Sequence, residues 1–140
     1  MAVGGHPLHP MLVNFPIAYL FGGLPSDLAF IWTGDPFWAR ASLWLLGIGF
    51  AMGTIAAVFG TLDFLLVKGV RKHTSSWTHF LLGVTVLAIA CANWWMRIPD
   101  PASAVLPWGL FLSCVTAAAV GAAGWMGGKL VFDHHIGIDD

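Results

Sequence analysis

The polar positions of this chain come in short clusters, and the apolar runs between them are too long for a soluble fold. Four runs, at about 10–32, 37–67, 77–97 and 105–132, keep their basic residues to their ends. A helix crosses the hydrocarbon core of a bilayer with about 20 apolar residues. The pattern therefore predicts an all-α, four-transmembrane-helix bundle, one domain over residues 1–140. The breaks between runs have turn chemistry: Thr33-Gly34-Asp35-Pro36, the polar stretch 68–76, and Ile98-Pro99-Asp100-Pro101. Pro16 and the Gly22-Gly23-Leu24-Pro25 stretch are expected to kink the first helix twice. Thr74, Ser75 and Ser76 are expected to cap the third. No repeat, linker or low-complexity tract is evident. Met1 to Gly5 carries no basic residue and no small-residue cleavage site follows, so the first run reads as a retained helix.

Composition sharpens this reading. Only 9% of residues are charged, 58% are hydrophobic, and there is no glutamate. Six basic residues and a net charge of −1 leave no clustered basic surface, so nucleic acid is excluded as a partner and the lipid bilayer is the expected one. Cys91 and Cys114 lie in separate apolar runs and read as small hydrophobes.

Folding four spans back and forth brings both termini and the 68–76 connection to one face, here called the near face. All six histidines, His6, His9, His73, His79, His134 and His135, then lie on or close to it. Lys68, Arg71, Lys72 and Lys129 fall there as well, against Arg40 and Arg97 on the far face, so the near face and both termini are expected in the cytoplasm. Trp32, Trp38, Trp94, Trp95 and Trp108 are expected near the far interface, and Trp77 and Trp125 near the other. Gly49, Gly53 and Ala57 on helix two, and Ala117, Gly121, Gly124 and Gly128 on helix four, are expected to let helices approach closely. Arg40 is the expected partner of Asp27.

Candidate chemistry concentrates in His6-Pro7-Leu8-His9-Pro10. Proline disfavours the α region for the residue before it, so both histidines are expected in extended or turn conformations, with Pro10 opening a helix. Imidazole is a common metal ligand, and a carboxylate can orient it from behind. A b-type haem needs two histidines on opposite sides of its iron, which His9 and His79 could supply. A bare transition-metal ion would gather more, from His6, His9, His79 and one of His134 or Asp63. Asp63 is the candidate orienting carboxylate, and Asn14 a further polar group beside the site. A proton path through Asn14, Asp63 and His79 lacks further titratable steps toward the membrane middle. No nucleophile elbow, phosphate loop or carboxylate pair is present, so an electron-transfer or accessory role is expected in preference to an enzymatic one. The alternative is a structural subunit of a larger membrane complex.

The opening Gly5-His6-Pro7-Leu8-His9-Pro10-Met11-Leu12-Val13 with Phe15-Pro16-Ile17, Gly60-x-x-Asp63, His79, and Gly127-Gly128-Lys129-Leu130-Val131 ahead of a histidine resemble a family of bacterial membrane domains, DUF2231. The resemblance covers nearly the whole chain. It implies a four-helix domain of the bacterial inner membrane, in a family whose members are sometimes joined to Rieske-type or c-type cytochrome domains. That company implies a redox setting with other membrane redox proteins as partners. His6, His9, Asp63, His79 and His134 or His135 match the family pattern. Asn14 departs from it, since relatives carry histidine there.

Overall fold

A computed structural model describes residues 2–3, 6–67 and 70–132, with side chains over 8–67 and 70–128. Two short antiparallel strands, β1 (Ala2–Val3) and β2 (His6–Pro7), pair Ala2 with Pro7 and Val3 with His6. Helices α1 (Leu8–Leu12), α2 (Asn14–Thr33), α3 (Pro36–Leu66), α4 (Thr74–Arg97) and α5 (Leu110–Phe132) follow. Four spans, Leu8–Thr33, Pro36–Leu66, Thr74–Arg97 and Val105–Gly128, are long and apolar enough to cross a membrane. Trp32, Trp44, Leu66, Trp95, Trp108 and Trp125 stand exposed on them, as lipid-facing side chains do.

The breaks form where the sequence places them, though not always by the expected means. Gly34 ends α2 with a positive φ and donates its N–H to the Phe30 carbonyl, while Asp35 caps α3 by accepting from the Phe37 N–H ahead of Pro36 at N1. Pro25 sits inside a continuous α2, and the interruption falls instead at Val13, just ahead of Pro16. Hydrogen bonds from Val13 N–H to His9 and from Ile17 N–H to Val13 carry the helix across that point. Helix α4 already begins at Thr74, with His73 in the cap position, so the expected Thr74–Ser76 cap is displaced by one residue or more. The fourth span opens with an irregular turn, Val105–Gly109, in which Pro107 removes an N–H and Leu106 is extended; regular helix starts at Leu110.

The helices form a square in which α2 and α4 each pack on both α3 and α5, so α2 faces α4 across the centre. Leu20, Leu46, Val86, Ala90 and Val120 make the core. Gly49 and Gly53 are close-packed as expected: a Cβ there would sit 2.7 Å from Leu20 and Leu87 respectively. Gly121, Gly124 and Gly128 are not; among the described residues nothing lies within 4 Å of a Cβ built at any of them. Trp94, expected at the interface, turns inward over Gly47 and stacks on Phe50 at 6.0 Å, because Gly47 leaves a flat seat for the indole.

A duplication invisible as a sequence repeat emerges from the burial pattern. Buried Pro16, Leu20, Gly23 and Asp27 of α2 match buried Val86, Ala90, Asn93 and Arg97 of α4 at a constant shift of 70 positions. Buried Ser42, Leu46, Gly49 and Gly53 of α3 match Gly109, Ser113, Thr116 and Val120 at a shift of 67. The bundle is thus two similar helical hairpins around an approximate two-fold axis along its length.

Candidate functional site: a histidine pair on the bundle axis

The same two shifts relate the chemistry at the near end. His9 and His79 are 70 positions apart, and Gly60 and Gly127 are 67 apart. Each imidazole reaches across its own hairpin. His9 Nδ1 donates to the Ala56 carbonyl of α3 at 2.8 Å, and His79 Nδ1 to the Ala123 carbonyl of α5 at 3.0 Å. In both helices the accepting carbonyl belongs to the residue four before a glycine. A Cβ at Gly60 would lie 2.8 Å from His9 Cε1 and Nδ1, and one at Gly127 would lie 3.2 Å from His79 Cε1. The glycines are therefore what lets each ring lie against the neighbouring helix.

These bonds set the tautomer. A carbonyl only accepts, so each ring carries its proton on Nδ1, and in the neutral ring Nε2 keeps its lone pair. Nδ1 faces its own hairpin, so the opposite ring edge is turned away from that helix. The two rings approach with centroids 6.1 Å apart and planes at 80°. Two nitrogens bound in line to one metal at about 2.0–2.1 Å each would put ring centres about 6 Å apart, close to the separation of these two rings.

The remaining site residues fall into place less uniformly. His9 lies in α1, not in the expected extended segment: Pro10 falls in the first turn, where its missing N–H forfeits no helical bond, and the bond from His9 Nδ1 to Ala56 holds the residue there against the local bias. Asp63 is half-buried on α3, three residues past Gly60, and the orienting acceptors at both Nδ1 atoms are carbonyls where a carboxylate was expected. Asn14 opens α2 and is exposed, so it is not the buried polar group expected beside the site. His73 is half-buried at the start of α4. The His6 side chain, His134 and His135 lie outside the described residues. Among the described residues, no third His, Cys, Asp or Glu joins His9 and His79 in a metal-binding group.

The far end of the axis carries a polar cluster of a different kind. Arg97 pairs with Asp27 through Nη1–Oδ1 at 2.6 Å and Nη2–Oδ2 at 2.8 Å, both residues fully buried. Arg97 also donates to Asn93 Oδ1 and to the Ser42 and Ser113 hydroxyls. Ser113 in turn donates to Asp27 at 2.6 Å and accepts from Asn93, while Ser42 donates to the Gly23 carbonyl. Every donor of the guanidinium is used, and all four spans are tied together. The expected Asp27–Arg40 pairing is overturned: Arg40 is exposed, whereas Arg97, one helix-length from His79, points into the bundle. His9 to Asp27 and His79 to Arg97 are both 18 residues, about 27 Å of helix, so the polar ends flank a hydrocarbon-thick apolar middle.

Sequence reasoning found the two histidines and missed their supports. The available signal was the pair Ala56-x-x-x-Gly60 and Ala123-x-x-x-Gly127, each on the helix after a histidine. A family model described as "Predicted membrane protein (DUF2231)" matches residues 5–140. No curated protein and no solved structure matches the chain significantly.

Proposed function

From the chain's place in the DUF2231 family of predicted membrane proteins, to which it belongs, and from its paired imidazoles, we propose a small redox-associated membrane subunit whose His9 and His79 supply the axial ligands of a b-type haem. The observation that carries this is the pair itself: two rings, one per hairpin, each with Nδ1 committed to a carbonyl and centres 6.1 Å apart. Donation of Nδ1–H to a carbonyl is what fixes ligand histidines in metal sites. Iron held there would exchange one electron between its ferric and ferrous forms. The protein's part is to hold both rings and to exclude water.

Small residues at the seams between the hairpins favour haem. At the α3–α4 seam Leu87 fills the space over Gly53; one helical turn nearer the histidines on each helix come Ala57 and Gly83, and among the described residues nothing lies within 4 Å of a Cβ built at Gly83. Thr54, Ala57, Val58, Thr61 and Leu62 line an open groove of about 320 Å³ on the outer surface of α3, and neither histidine is part of its lining. Gly124 corresponds to Ala57 at the α5–α2 seam and is equally open. A transition-metal ion completed by His6 or His134 is the second form of the same reading.

Burial of Arg97 strengthens the orientation with the near face in the cytoplasm, because Arg40 is then the one basic residue left to the far loops against Lys68, Arg71, Lys72 and Lys129. The outward-facing Gly121 and Gly128 favour the alternative of an accessory subunit packed against other membrane proteins.

The test is the visible absorption spectrum of protein purified in mild detergent, before and after reduction, followed by haem reconstitution. A sharp band that shifts on reduction, and is lost in both His9→Ala and His79→Ala, is the expected result. A spectrum that stays flat after reconstitution rejects haem; metal analysis then decides for or against the ion.

A further inference from the structure

Ser76 is 2% exposed and its hydroxyl has no hydrogen-bond partner among the described residues. It lies in the first turn of α4, three residues before His79, which places both side chains on one face with Ser76 nearer the membrane surface. Its own N–H is taken by the His73 carbonyl, so the hydroxyl is what remains to be satisfied. A buried hydroxyl left unpaired is costly and rare, and calls for a group to receive its proton. The surroundings favour an anion. The start of a 24-residue helix carries partial positive charge. Arg71 and Lys72 occupy the short 3-10 turn just before it, and Trp77 Nε1 donates to the Arg71 carbonyl, tying that turn to the helix.

We propose that Ser76, the N-terminus of α4 and the Arg71 and Lys72 side chains seat a carboxylate of the molecule held by His9 and His79. In the haem reading, on which this rests, that carboxylate is a propionate. The seat gives the buried hydroxyl an acceptor.

The experiment compares uptake of protohaem and of its dimethyl ester, whose propionates are uncharged, by the full chain in a maltoside detergent free of anionic lipid. Wild type is expected to prefer protohaem by about tenfold, the worth of one charge-assisted hydrogen bond. In Ser76→Ala the preference falls severalfold, to what the helix N-terminus and the two basic side chains still supply, while Ser76→Thr, which keeps the hydroxyl, retains it. The thermal midpoint of cofactor-free Ser76→Ala stays unchanged or rises; a merely structural hydroxyl would make it fall. Equal binding of both porphyrins by wild type overturns the seat and leaves the haem reading intact. If wild type takes up neither, the haem reading fails, and inorganic phosphate is titrated calorimetrically into both proteins. Saturable heat absent from Ser76→Ala then supports an anion seat, and no heat from either protein overturns it.

Discussion

Alanine substitutions at the glycines give stability changes whose sign the structure fixes in advance. In a helix interior, Gly→Ala by itself gains about 1 kcal/mol. At Gly60 the new Cβ would stand 2.8 Å from His9 Cε1 and Nδ1. Overpacking of that kind costs about 1–3 kcal/mol, and displacing the ring also forfeits the His9–Ala56 hydrogen bond, about 1 kcal/mol. Gly60→Ala should therefore destabilise by about 1–3 kcal/mol once the helix gain is subtracted. At Gly127 the nearest atom is 3.2 Å away, so a small shift of His79 accommodates the methyl and the change should be near zero. Gly121→Ala and Gly128→Ala meet nothing and should stabilise by up to about 1 kcal/mol. Thermal unfolding of the cofactor-free protein in detergent ranks the series. The visible spectrum adds an independent reading, since Gly60→Ala moves a proposed ligand and Gly121→Ala does not. If Gly60→Ala raises the midpoint as much as Gly121→Ala, the packing of His9 against α3 is wrong, and with it the account of how the rings are held.

Three further outcomes follow from other parts of the bundle. Gly83→Ala should stabilise the cofactor-free protein yet weaken haem uptake in the proposed reading, because the methyl is added one helical turn from His79 on the same face of α4; parallel midpoints and reconstitution titrations check this. Asp27→Ala should cost about 3–5 kcal/mol by leaving Arg97 charged and buried, whereas Asp27→Leu combined with Arg97→Met should cost less than either change alone, as a double-mutant cycle of unfolding would register. A reporter fused to the C-terminus should be active in its cytoplasmic form; activity of the exported form would reverse the orientation and leave the histidine pairing untouched.

The spans were legible because length and hydropathy nearly determine them, and the near-end pairing of His9 with His79 was legible because alternating topology leaves little choice about which ends meet. What escaped was set by side-chain direction. Arg97 closes an apolar run and reads as an interfacial charge; only the rotation of α4, fixed by the stripe Val86, Ala90 and Asn93, turns it toward Asp27. Gly60 and Gly127 look like the other small residues of their helices, and their role depends on a ring arriving from the neighbouring helix. His9 contradicts the local preference before proline because a contact 47 residues away decides its place. The two-fold relation was hidden because it is carried by which positions are buried, while the residues filling them differ in size and polarity, as Leu20 and Ala90 or Asp27 and Arg97 do.

The apolar stretch between the two polar ends also governs how this protein meets the membrane voltage. Carrying one elementary charge through the full field takes about 2.3 kcal/mol per 100 mV. Between His9 and Asp27, and between His79 and Arg97, the core is built from Leu20, Leu46, Val86, Ala90 and Val120, with no ionisable side chain in that cluster to pass a charge onward. In the proposed redox role, a charge acquired at the histidine end would be balanced from the same side of the bilayer, so it would draw almost nothing from the electrical gradient and add almost nothing to it.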